Sequence, residues 1–279
     1  MTIAVDKRLA LEAYLRPLGP VAVAVSGGVD SMTLAYIAHR VNPESLMFHA
    51  LSPAVPAQAT DRVKTYAARH DWQLRLIDAG EITDPEYLAN PANRCYFCKT
   101  NLYDTVVEHT TLPVVSGTNT DDLGDYRPGL IAAREHAVAH PYVSVGIDKA
   151  TLREIARSLE LHDLHELPAA PCLSSRVTTG IAIDPKVLPL INQAEQALWE
   201  TLPLSISLTG VRCRIRPDGI AIEIETNQPV TNDAPWAIEA TDIVASIFRL
   251  GDYEKLATKI TCEPYQRGSA FLIETLKLG

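Results

Sequence analysis

The sequence predicts an α/β protein, in which a parallel sheet with helices on both faces is followed by a small α+β domain. Short apolar runs alternate with amphipathic helical segments over residues 1–168, an order typical of parallel strands joined by helices. A segment rich in Pro and Ala then interrupts this alternation, and helices and short strands follow in a different order. These two observations predict a first domain at 1–168 and a second domain at 169–279.

The elements of the first domain follow from hydrophobic periodicity. The helix after the first strand places Leu34, Ile37 and Val41 on one face. A capping-box pattern, from Thr151 to Glu154, is expected to open the last helix of this domain. The expected strands are 21–25, 46–51, 72–77 and 112–115, and the expected helices are 31–41, 60–70, 99–109 and 151–159.

The second domain is expected to contain a hairpin with one charged face. Its first strand alternates strictly from Val211 to Arg216, and an Asp218-Gly219 turn follows. With that turn, Arg214 is expected opposite Glu223, and Cys213 is expected on the apolar face. The other expected elements are helices at 185–202 and 235–250 and a strand at about 255–260.

Composition disfavours several classes of protein. The 279 residues carry 34 acidic and 25 basic side chains, a net charge of −9, which disfavours a nucleic acid as the main partner. No apolar run approaches the ~20 residues of a membrane span, and Asp6, Lys7 and Arg8 interrupt the place of an export signal. Five cysteines are a small and odd number, which indicates reduced thiols and a cytoplasmic protein.

A glycine-rich segment between the first strand and the first helix is the strongest functional signal. Glycines let the backbone approach a ligand, and successive N–H groups at a helix N-terminus bind phosphate oxygens. Serines add hydroxyl donors, whereas the aspartate requires a cation or the helix N-terminus to balance its charge. A capped turn without a ligand is the alternative, and the complete set of six residues favours phosphate binding. The six residues are Ser26, Gly27, Gly28, Val29, Asp30 and Ser31.

A second polar loop follows the last strand of the expected sheet. Ligands of open α/β sheets bind at the carboxyl edge, where this loop is expected to lie. Gly117 lets the backbone approach a nucleotide, and the side chains of Asn119 and Asp122 suit a ribose or a metal ion. Arg127 is available to a phosphate or a carboxylate. A solvated turn rich in Asn and Asp would have the same composition.

Three of the five cysteines form a pattern that suggests metal or redox chemistry. Cys95 and Cys98 make a CxxC pair, and Cys172 follows much later in the chain. A CxxC pair is half of a zinc site, a redox pair or a pair of cluster ligands. No second CxxC is present, which disfavours a structural zinc ribbon. Three thiolates suit a [4Fe–4S] cluster with one iron open to another ligand, and buried thiols without a metal are the alternative.

The glycine-rich segment is similar to the PP-loop of the ATP pyrophosphatases, which split ATP into AMP and pyrophosphate. It lacks the GK[ST] sequence of a Walker A loop. Together with four further segments, it makes the chain resemble the LarE family of ATP-dependent sulfur-insertion enzymes along essentially its whole length. The DYRPG and CLSSR sequences are the most specific marks of this resemblance. The four further segments are Arg94–Tyr103, Asp125–Gly129, Pro171–Arg176 and Val211–Arg214.

The resemblance implies a PP-loop fold of the adenine nucleotide alpha hydrolase type and an ATP-dependent sulfurtransferase. In this family, a carboxylate of pyridinium-3,5-biscarboxylic acid mononucleotide is adenylated with ATP and Mg²⁺. Sulfur then displaces AMP and leaves a thiocarboxylate, a step in building the nickel-pincer nucleotide cofactor of lactate racemase. One type of member sacrifices the sulfur of a single cysteine, and the other type holds a [4Fe–4S] cluster on three cysteines. Cys95, Cys98 and Cys172 match the cluster type.

The resemblance also implies roles for individual residues. It assigns catalysis to the three cysteines and Asp30, and nucleotide binding to the PP-loop and to the second polar loop with Arg127. It implies that the second domain serves sulfur transfer and assembly into a homo-oligomer, a hexamer built from trimers. A plain ladder of Arg–Glu pairs, worth about 0.2–1 kcal/mol per pair, is the alternative for the arginine strand. The implied substrate ligands are Lys99, Arg176, Arg212 and Arg214, with Glu223 as an orienting partner.

Three other functions remain open from the sequence. The first is tRNA thiolation, which the acidic balance and the lack of paired CxxC motifs at the N-terminus disfavour. The second is a PP-loop amide synthase, for which the CxxC pair has no use. The third is a nucleotide-sensing module without catalysis. The protein that supplies sulfide is not indicated by any motif.

Overall fold

The computed structural model describes residues 3–124, 127–168, 171–202 and 206–266. The chain divides into two compact units, Met1–Asp84 with Asn93–Ala170, and Pro85–Ala92 with Pro171–Gly279. The short segment that carries helix α4 (Pro85–Leu88) therefore belongs to the second unit. Compactness does not test independent folding, so the division into domains 1–168 and 169–279 stays a prediction.

The first unit contains a parallel sheet of four strands in the order β3-β2-β1-β4. These strands are β1 (Ala22–Ala24), β2 (Leu46–Ala50), β3 (Gln73–Ile77) and β4 (Val114–Ser116). Strand β1 pairs with both β2 and β4, so the strand order reverses beside β1. In open α/β sheets, a ligand binds at the carboxyl ends of the strands where this reversal occurs.

Helices cover both faces of this sheet. Successive side chains of β1 point to opposite faces, and they are apolar on both, so each face packs against helices. Val23 packs in a core cluster with Met32 and Leu152, whereas Ala24 packs in another cluster with Tyr103. The predicted parallel sheet with helices around it is therefore confirmed. The helices of this unit are α1 (Ile3–Leu15), α2 (Val29–Val41), α3 (Ala57–Arg69), α5 (Arg94–His109), α6 (Pro128–Glu135), α7 (Pro141–Ser144), α8 (Lys149–Ser158) and α9 (His162–His165).

Helix α8 begins two residues earlier than expected. The Asp148 carboxylate accepts a hydrogen bond from the Thr151 backbone N–H at 2.7 Å, so Asp148 is the N-cap. The predicted capping box at Thr151 is therefore wrong, because a carboxylate upstream already caps the helix. This shift places Lys149 in the first turn.

The second unit contains a mixed sheet of three strands in the order β5-β6-β7. Strands β5 and β6 are antiparallel, and β6 and β7 are parallel. The expected strand at about 255–260 is displaced, since β7 begins only at Ile260 and a 3₁₀ turn precedes it. The elements are α10 (Val187–Thr201), β5 (Gly210–Arg216), β6 (Gly219–Glu225), α11 (Pro235–Leu250) and β7 (Ile260–Pro264).

The β5–β6 hairpin has a different register from the expected one. Arg216 pairs with Gly219, so Pro217 and Asp218 form the turn, and Arg214 lies opposite Ala221 instead of Glu223. Gly219 is a strand residue through this pairing, and the position requires glycine because a Cβ there would collide with the Lys259 carbonyl oxygen beside β7. A shift of two residues keeps every side chain on its predicted face.

Among the helices in the described ranges, none is both long and apolar enough to cross a lipid bilayer.

Candidate functional site

The PP-loop segment between β1 and α2 is closed by its two serines. Ser31 Oγ accepts a hydrogen bond from the Ser26 backbone N–H at 3.0 Å and lies 3.1 Å from Ser26 Oγ. Ser31 Oγ also donates to the Gly28 carbonyl oxygen at 3.2 Å. The first N–H groups of α2 have no acceptors within the helix and carry the positive end of its dipole. The arrangement suits the oxygens of a polyphosphate.

Two glycines allow other backbone segments to approach this loop. Gly27 has a φ of +83°, and a Cβ on it would lie 2.6 Å from the Ala59 carbonyl oxygen in α3. A Cβ on Gly117 would lie 2.8 Å from the Ser31 backbone nitrogen. The structure thus brings the two predicted loops together at the carboxyl ends of β1 and β4.

The charge of Asp30 is balanced by a lysine that no motif marks. Lys149 Nζ lies 2.7 and 2.5 Å from the two carboxylate oxygens of Asp30. The Asn119 side-chain amide donates to the same carboxylate at 3.4 Å, and the Tyr142 hydroxyl donates to the Asp30 carbonyl at 2.9 Å. The only sequence signal for Lys149 is its place at the start of an amphipathic helix.

The second polar loop is held by its own side chains. The Asp122 carboxylate accepts from the Asn119 backbone N–H at 3.0 Å, and Asn119 accepts from the Asp121 N–H at 3.0 Å. Arg127 forms an ion pair of 2.9 Å with Asp122. Asp122 therefore shapes the loop through a capping box. Asp125 and Tyr126 of the DYRPG sequence lie outside the described residues.

Two histidines join the ends of the strands to neighbouring elements. His49 is buried, and its ring nitrogens lie 2.8 Å from the Val25 carbonyl oxygen and 2.9 Å from Thr60 Oγ1. His140 Nδ1 lies 2.9 Å from Ser116 Oγ. Burial lowers the pKa of both histidines. Burial therefore keeps the rings neutral to a lower pH, although the hydrogen bond to Val25 partly opposes this at His49.

The histidines at 136 and 140 have the HxxxH spacing of zinc ligands, yet they have different partners. His136 Nε2 bonds to the Asp104 carboxylate at 2.8 Å, whereas His140 bonds to Ser116. Within the described residues, no group of three or more His, Cys, Asp or Glu side chains converges as metal ligands. The two rings therefore serve separate hydrogen bonds, to Asp104 and to Ser116.

The five cysteines, all reduced, differ in accessibility. Cys95 is exposed and Cys98 is half-buried, and their i, i+3 spacing places them on one side of α5. Cys172 is also half-buried. Burial raises the pKa of Cys213 well above its ordinary value and that of Cys262 to about 12. A thiolate is the form that binds metal, and the predicted cluster on Cys95, Cys98 and Cys172 stays a prediction.

The segment that carries Cys172 is held by buried hydrogen bonds within the second unit. The Tyr87 hydroxyl lies 2.6 Å from Ser174 Oγ, two residues beyond Cys172. The Asn90 amide donates to the Thr178 carbonyl oxygen at 2.9 Å, and Asn90 has no exposed surface. Neither Tyr87 nor Asn90 belongs to a recognisable motif. They explain why segment 85–92 belongs to the second unit.

Arg176 is turned into the protein instead of toward a ligand. Its guanidinium binds both oxygens of Glu195 at 2.8 Å, and only 3% of the residue is exposed. Burial opposes its charge, but the hydrogen bonds and charge of Glu195 outweigh this effect and raise the pKa of Arg176. Glu195 also accepts from the Cys213 backbone N–H at 2.9 Å. Arg176 Nη1 also donates to the Pro171 carbonyl oxygen at 2.8 Å, so Arg176 supports the Cys172 segment, and its contact with substrate stays a prediction.

Arg214 is likewise buried in an ion pair. It binds both oxygens of Glu223 at 2.7 and 2.9 Å, diagonally across the hairpin, and donates to the Ser175 carbonyl oxygen at 2.7 Å. Arg212 is half-buried, and its pKa is lowered by burial and by the charges of Arg176 and Arg214. Arg212 is thus more exposed than Arg176 and Arg214, which are both buried.

Lys99, the remaining expected substrate ligand, lies in α5 one residue after Cys98. Its Nζ lies 5.8 Å from the centre of the Tyr103 ring. A Cβ on Gly129 would lie 3.0 Å from Lys99 Cγ, so the lysine stem packs against the start of α6. This packing orients the side chain along the CxxC helix.

Comparison with known proteins shows relatives of this chain. An uncharacterized protein of Synechocystis sp. is 35% identical over 192 residues, which cover 66% of this chain and 70% of that protein. The pyridinium-3,5-bisthiocarboxylic acid mononucleotide synthase of Lactiplantibacillus plantarum is 25% identical over 80% of this chain and 81% of the synthase. A protein named probable tRNA sulfurtransferase, from Methanobrevibacter smithii, is 23% identical over 55% of this chain and 44% of that protein. No family model matches the chain.

The identity to the Synechocystis protein shows one family, and the other two relatives are named for sulfur-transfer reactions. The region shared with the synthase covers most of both chains, whereas the region shared with the tRNA sulfurtransferase is less than half of that protein. The chain therefore belongs to the same family as the Synechocystis protein.

Proposed function

We propose that the protein is an ATP-dependent sulfurtransferase that converts a carboxylate of pyridinium-3,5-biscarboxylic acid mononucleotide into a thiocarboxylate. The phosphate cradle carries this proposal: a serine-closed loop at the N-terminus of α2, with Gly117 against its first turn. Similarity to the synthase over 80% of the chain supports the acceptor.

The cradle is suited to the adenylation half of the reaction. A carboxylate oxygen of the acceptor attacks the α-phosphorus of ATP, the bond to the β-phosphate oxygen breaks, and pyrophosphate leaves. The backbone N–H groups and the hydroxyls of Ser26 and Ser31 bind the departing phosphates and stabilise their charge. Asn119 and the ion pair of Asp122 and Arg127 keep the second loop against the nucleotide side.

Asp30 fits the requirements of Mg²⁺. This ion is bound in many nucleotide sites through one or two carboxylates together with phosphate oxygens. Both oxygens of Asp30 now contact Lys149, whose side chain is about one-third exposed at 32%. Asp30 would hold Mg²⁺ through its carboxylate, and Lys149 beside it would supply a further positive charge to the phosphate oxygens.

The accessible thiols suit the sulfur-transfer half. Cys95, Cys98 and Cys172 would hold a [4Fe–4S] cluster, which would supply bound sulfide to displace AMP from the acyl adenylate. By the family resemblance, Arg212 and Lys99 would each offer a cation to the phosphate or carboxylates of the acceptor. The rigid Cys172 segment keeps its thiol in place. Sacrifice of the Cys172 sulfur is the single-turnover alternative.

An anaerobic assay with ATP, Mg²⁺, sulfide and the acceptor tests this proposal. We expect release of AMP and pyrophosphate and a product heavier by the exchange of oxygen for sulfur. Reconstituted protein is expected to bind about four iron atoms per chain. Cys95→Ala, Cys98→Ala and Cys172→Ala combined should remove the iron, and Cys213→Ala should not. Undiminished iron in the triple variant would reject the cluster.

A second candidate function is tRNA thiolation, which the similarity to the tRNA sulfurtransferase favours. The net charge of −9 opposes binding to a polyanion. Release of pyrophosphate that is stimulated by tRNA, and not by the pyridinium mononucleotide, would decide for this candidate. We further propose a homo-oligomer assembled through the second unit, which sedimentation of the full chain measures.

A further inference from the structure

The carbonyl group of Gly27 in the PP-loop is bound by an arginine from α3. Arg62 donates from Nη1 to the Gly27 oxygen at 2.7 Å. Burial lowers the pKa of Arg62, and the negative charge of Asp163 opposes that effect. Asp163 also accepts a short hydrogen bond from Tyr66. Arg62 therefore bonds to the loop, and the negative charge of Asp163 favours its charged form.

This contact sets the direction of a neighbouring N–H group. In a trans peptide, the carbonyl and the N–H of one plane point in opposite directions. Because the Gly27 oxygen points to Arg62 on α3, the Gly28 N–H points away from α3. It donates only a long bond of 3.4 Å to Ser26 Oγ at an exposed position. This N–H is thus oriented for a stronger acceptor.

A peptide between two glycines otherwise has unusual freedom. Each glycine samples positive and negative φ, so the plane between Gly27 and Gly28 is able to rotate. A rotated plane would direct the carbonyl oxygen at the phosphates and repel them. Close contact of Gly27 with Ala59 limits the position of the loop, but it does not set the direction of the carbonyl.

We propose that Arg62 is a positioning residue for ATP, which fixes the Gly27–Gly28 peptide so that the Gly28 N–H points to the phosphate groups. The inference rests on the proposed function, because it requires the loop to bind ATP. Arg62 acts on the phosphates only through the Gly27–Gly28 peptide, because its hydrogen bond is to the Gly27 carbonyl oxygen. The predicted effect is therefore specific to the phosphate part of the nucleotide.

Equilibrium titration of the full chain with ATP, inorganic pyrophosphate and adenosine, all with Mg²⁺, tests this role. Arg62→Met keeps the aliphatic stem and removes the donor. We expect its affinity for ATP and pyrophosphate to fall about tenfold while adenosine binding is unchanged. Arg62→Lys, which keeps a charged donor, should recover part of the loss.

Arg69→Met is the matched control on the same helix. Its exposed guanidinium lies 5.3 Å from the Tyr66 ring centre, so the variant removes a similar charge without touching the loop. We expect its ATP affinity to stay within about twofold of wild type. Arg62→Gln replaces Arg62→Met if that variant does not fold, with the same expected loss.

Three results would overturn the role of Arg62. These are unchanged ATP and pyrophosphate affinity in Arg62→Met, an equal loss for adenosine, and an equal loss in Arg69→Met. A wild-type chain that binds no ATP would instead reject the proposed function itself, and the inference with it. The wild-type titration separates these two failures.

Discussion

Ion pairs in the two units use the same chemistry under opposite conditions of burial. In the first unit, the side chains of Lys149 and Asp30 are 32% and 27% exposed. In the second unit, the corresponding values are 3% and 11% for Arg176 with Glu195. A partly exposed pair can exchange partners at small cost, whereas a buried pair cannot lose one member without leaving an unpaired charge. The first pair therefore suits ligand exchange and the second suits support.

Removal of Glu195 is expected to cause the largest loss of stability. Glu195→Ala leaves the Arg176 guanidinium and the Cys213 N–H buried without this acceptor. The free energy of unfolding should fall by about 3–5 kcal/mol, measured by chemical denaturation. Asp218→Asn, in the exposed pair with Lys259, is the control and should change it by less than about 1 kcal/mol. Similar values for both variants would contradict the supporting role.

Removal of Lys149 is expected to affect catalysis more than stability. Lys149→Met should slow pyrophosphate release by about 10²–10³-fold, because a preorganised cation is lost beside the phosphates. The free energy of unfolding should change by no more than about 1 kcal/mol, since the pair is partly exposed. Lys64→Met, on the exposed side of α3, is the control for loss of charge. A stability loss as large as that of Glu195→Ala would remove the distinction between the pairs.

An added methyl group at Gly117 tests the close approach of the two loops. The new Cβ would lie 2.8 Å from the Ser31 nitrogen and 2.9 Å from the Asp30 carbonyl carbon. Both are backbone atoms, so the loops must separate at a cost of about 1–3 kcal/mol, and ATP affinity should fall. Gly124→Ala is the control, because its Cβ meets only the Asp121 oxygen at 4.0 Å. ATP binding at the wild-type level in Gly117→Ala would place the nucleotide elsewhere.

Acidic pH is expected to weaken the first unit by a smaller amount. Burial, assisted by Lys64, lowers the pKa of His49 from 6.5, and the Val25 carbonyl only partly opposes this. The unfolded chain then binds the proton more tightly, so stability from His49 is complete above pH 6.5 and declines as the pH falls toward its folded pKa. The decline is at most about 1.4 kcal/mol per pH unit. Chemical denaturation of wild type and His49→Gln between about pH 7.5 and 5.5 measures this pH dependence of the free energy of unfolding. If the free energy falls equally with pH in both proteins, His49 is not the cause.

Much of the first unit could be predicted because its signals are local. The VAVAV run, the glycines of the PP-loop and the apolar face of α2 lie within one continuous segment. Their periodicity and conformational preferences identify a strand, a turn and a helix without knowledge of distant residues. The cysteine pattern is also visible from spacing, although metal binding by it stays a prediction.

Partners that are distant in the chain could not be predicted in this way. Lys149 lies 119 positions from Asp30, and Arg62 lies 35 positions from Gly27. Neither residue has a motif, since a lysine or arginine on an amphipathic helix is typical of any solvated face. Asn90 is similar, because its burial against residues 177–181 depends on the chain returning to it.

The amino-acid sequence alone predicted the four strands of the first unit, the helices that follow the first three of them, and a glycine-rich turn of the kind that binds phosphate. Hydrophobic period and glycine content are properties of neighbouring residues, so they do not require the fold. Only the tertiary structure decided the hairpin register and the partners of the charged groups. A register shift of two preserves every face, so the side-chain pattern of the sequence could not choose between the two registers. Likewise, only the structure shows that Arg176 and Arg214 are buried while Arg212 is half-buried.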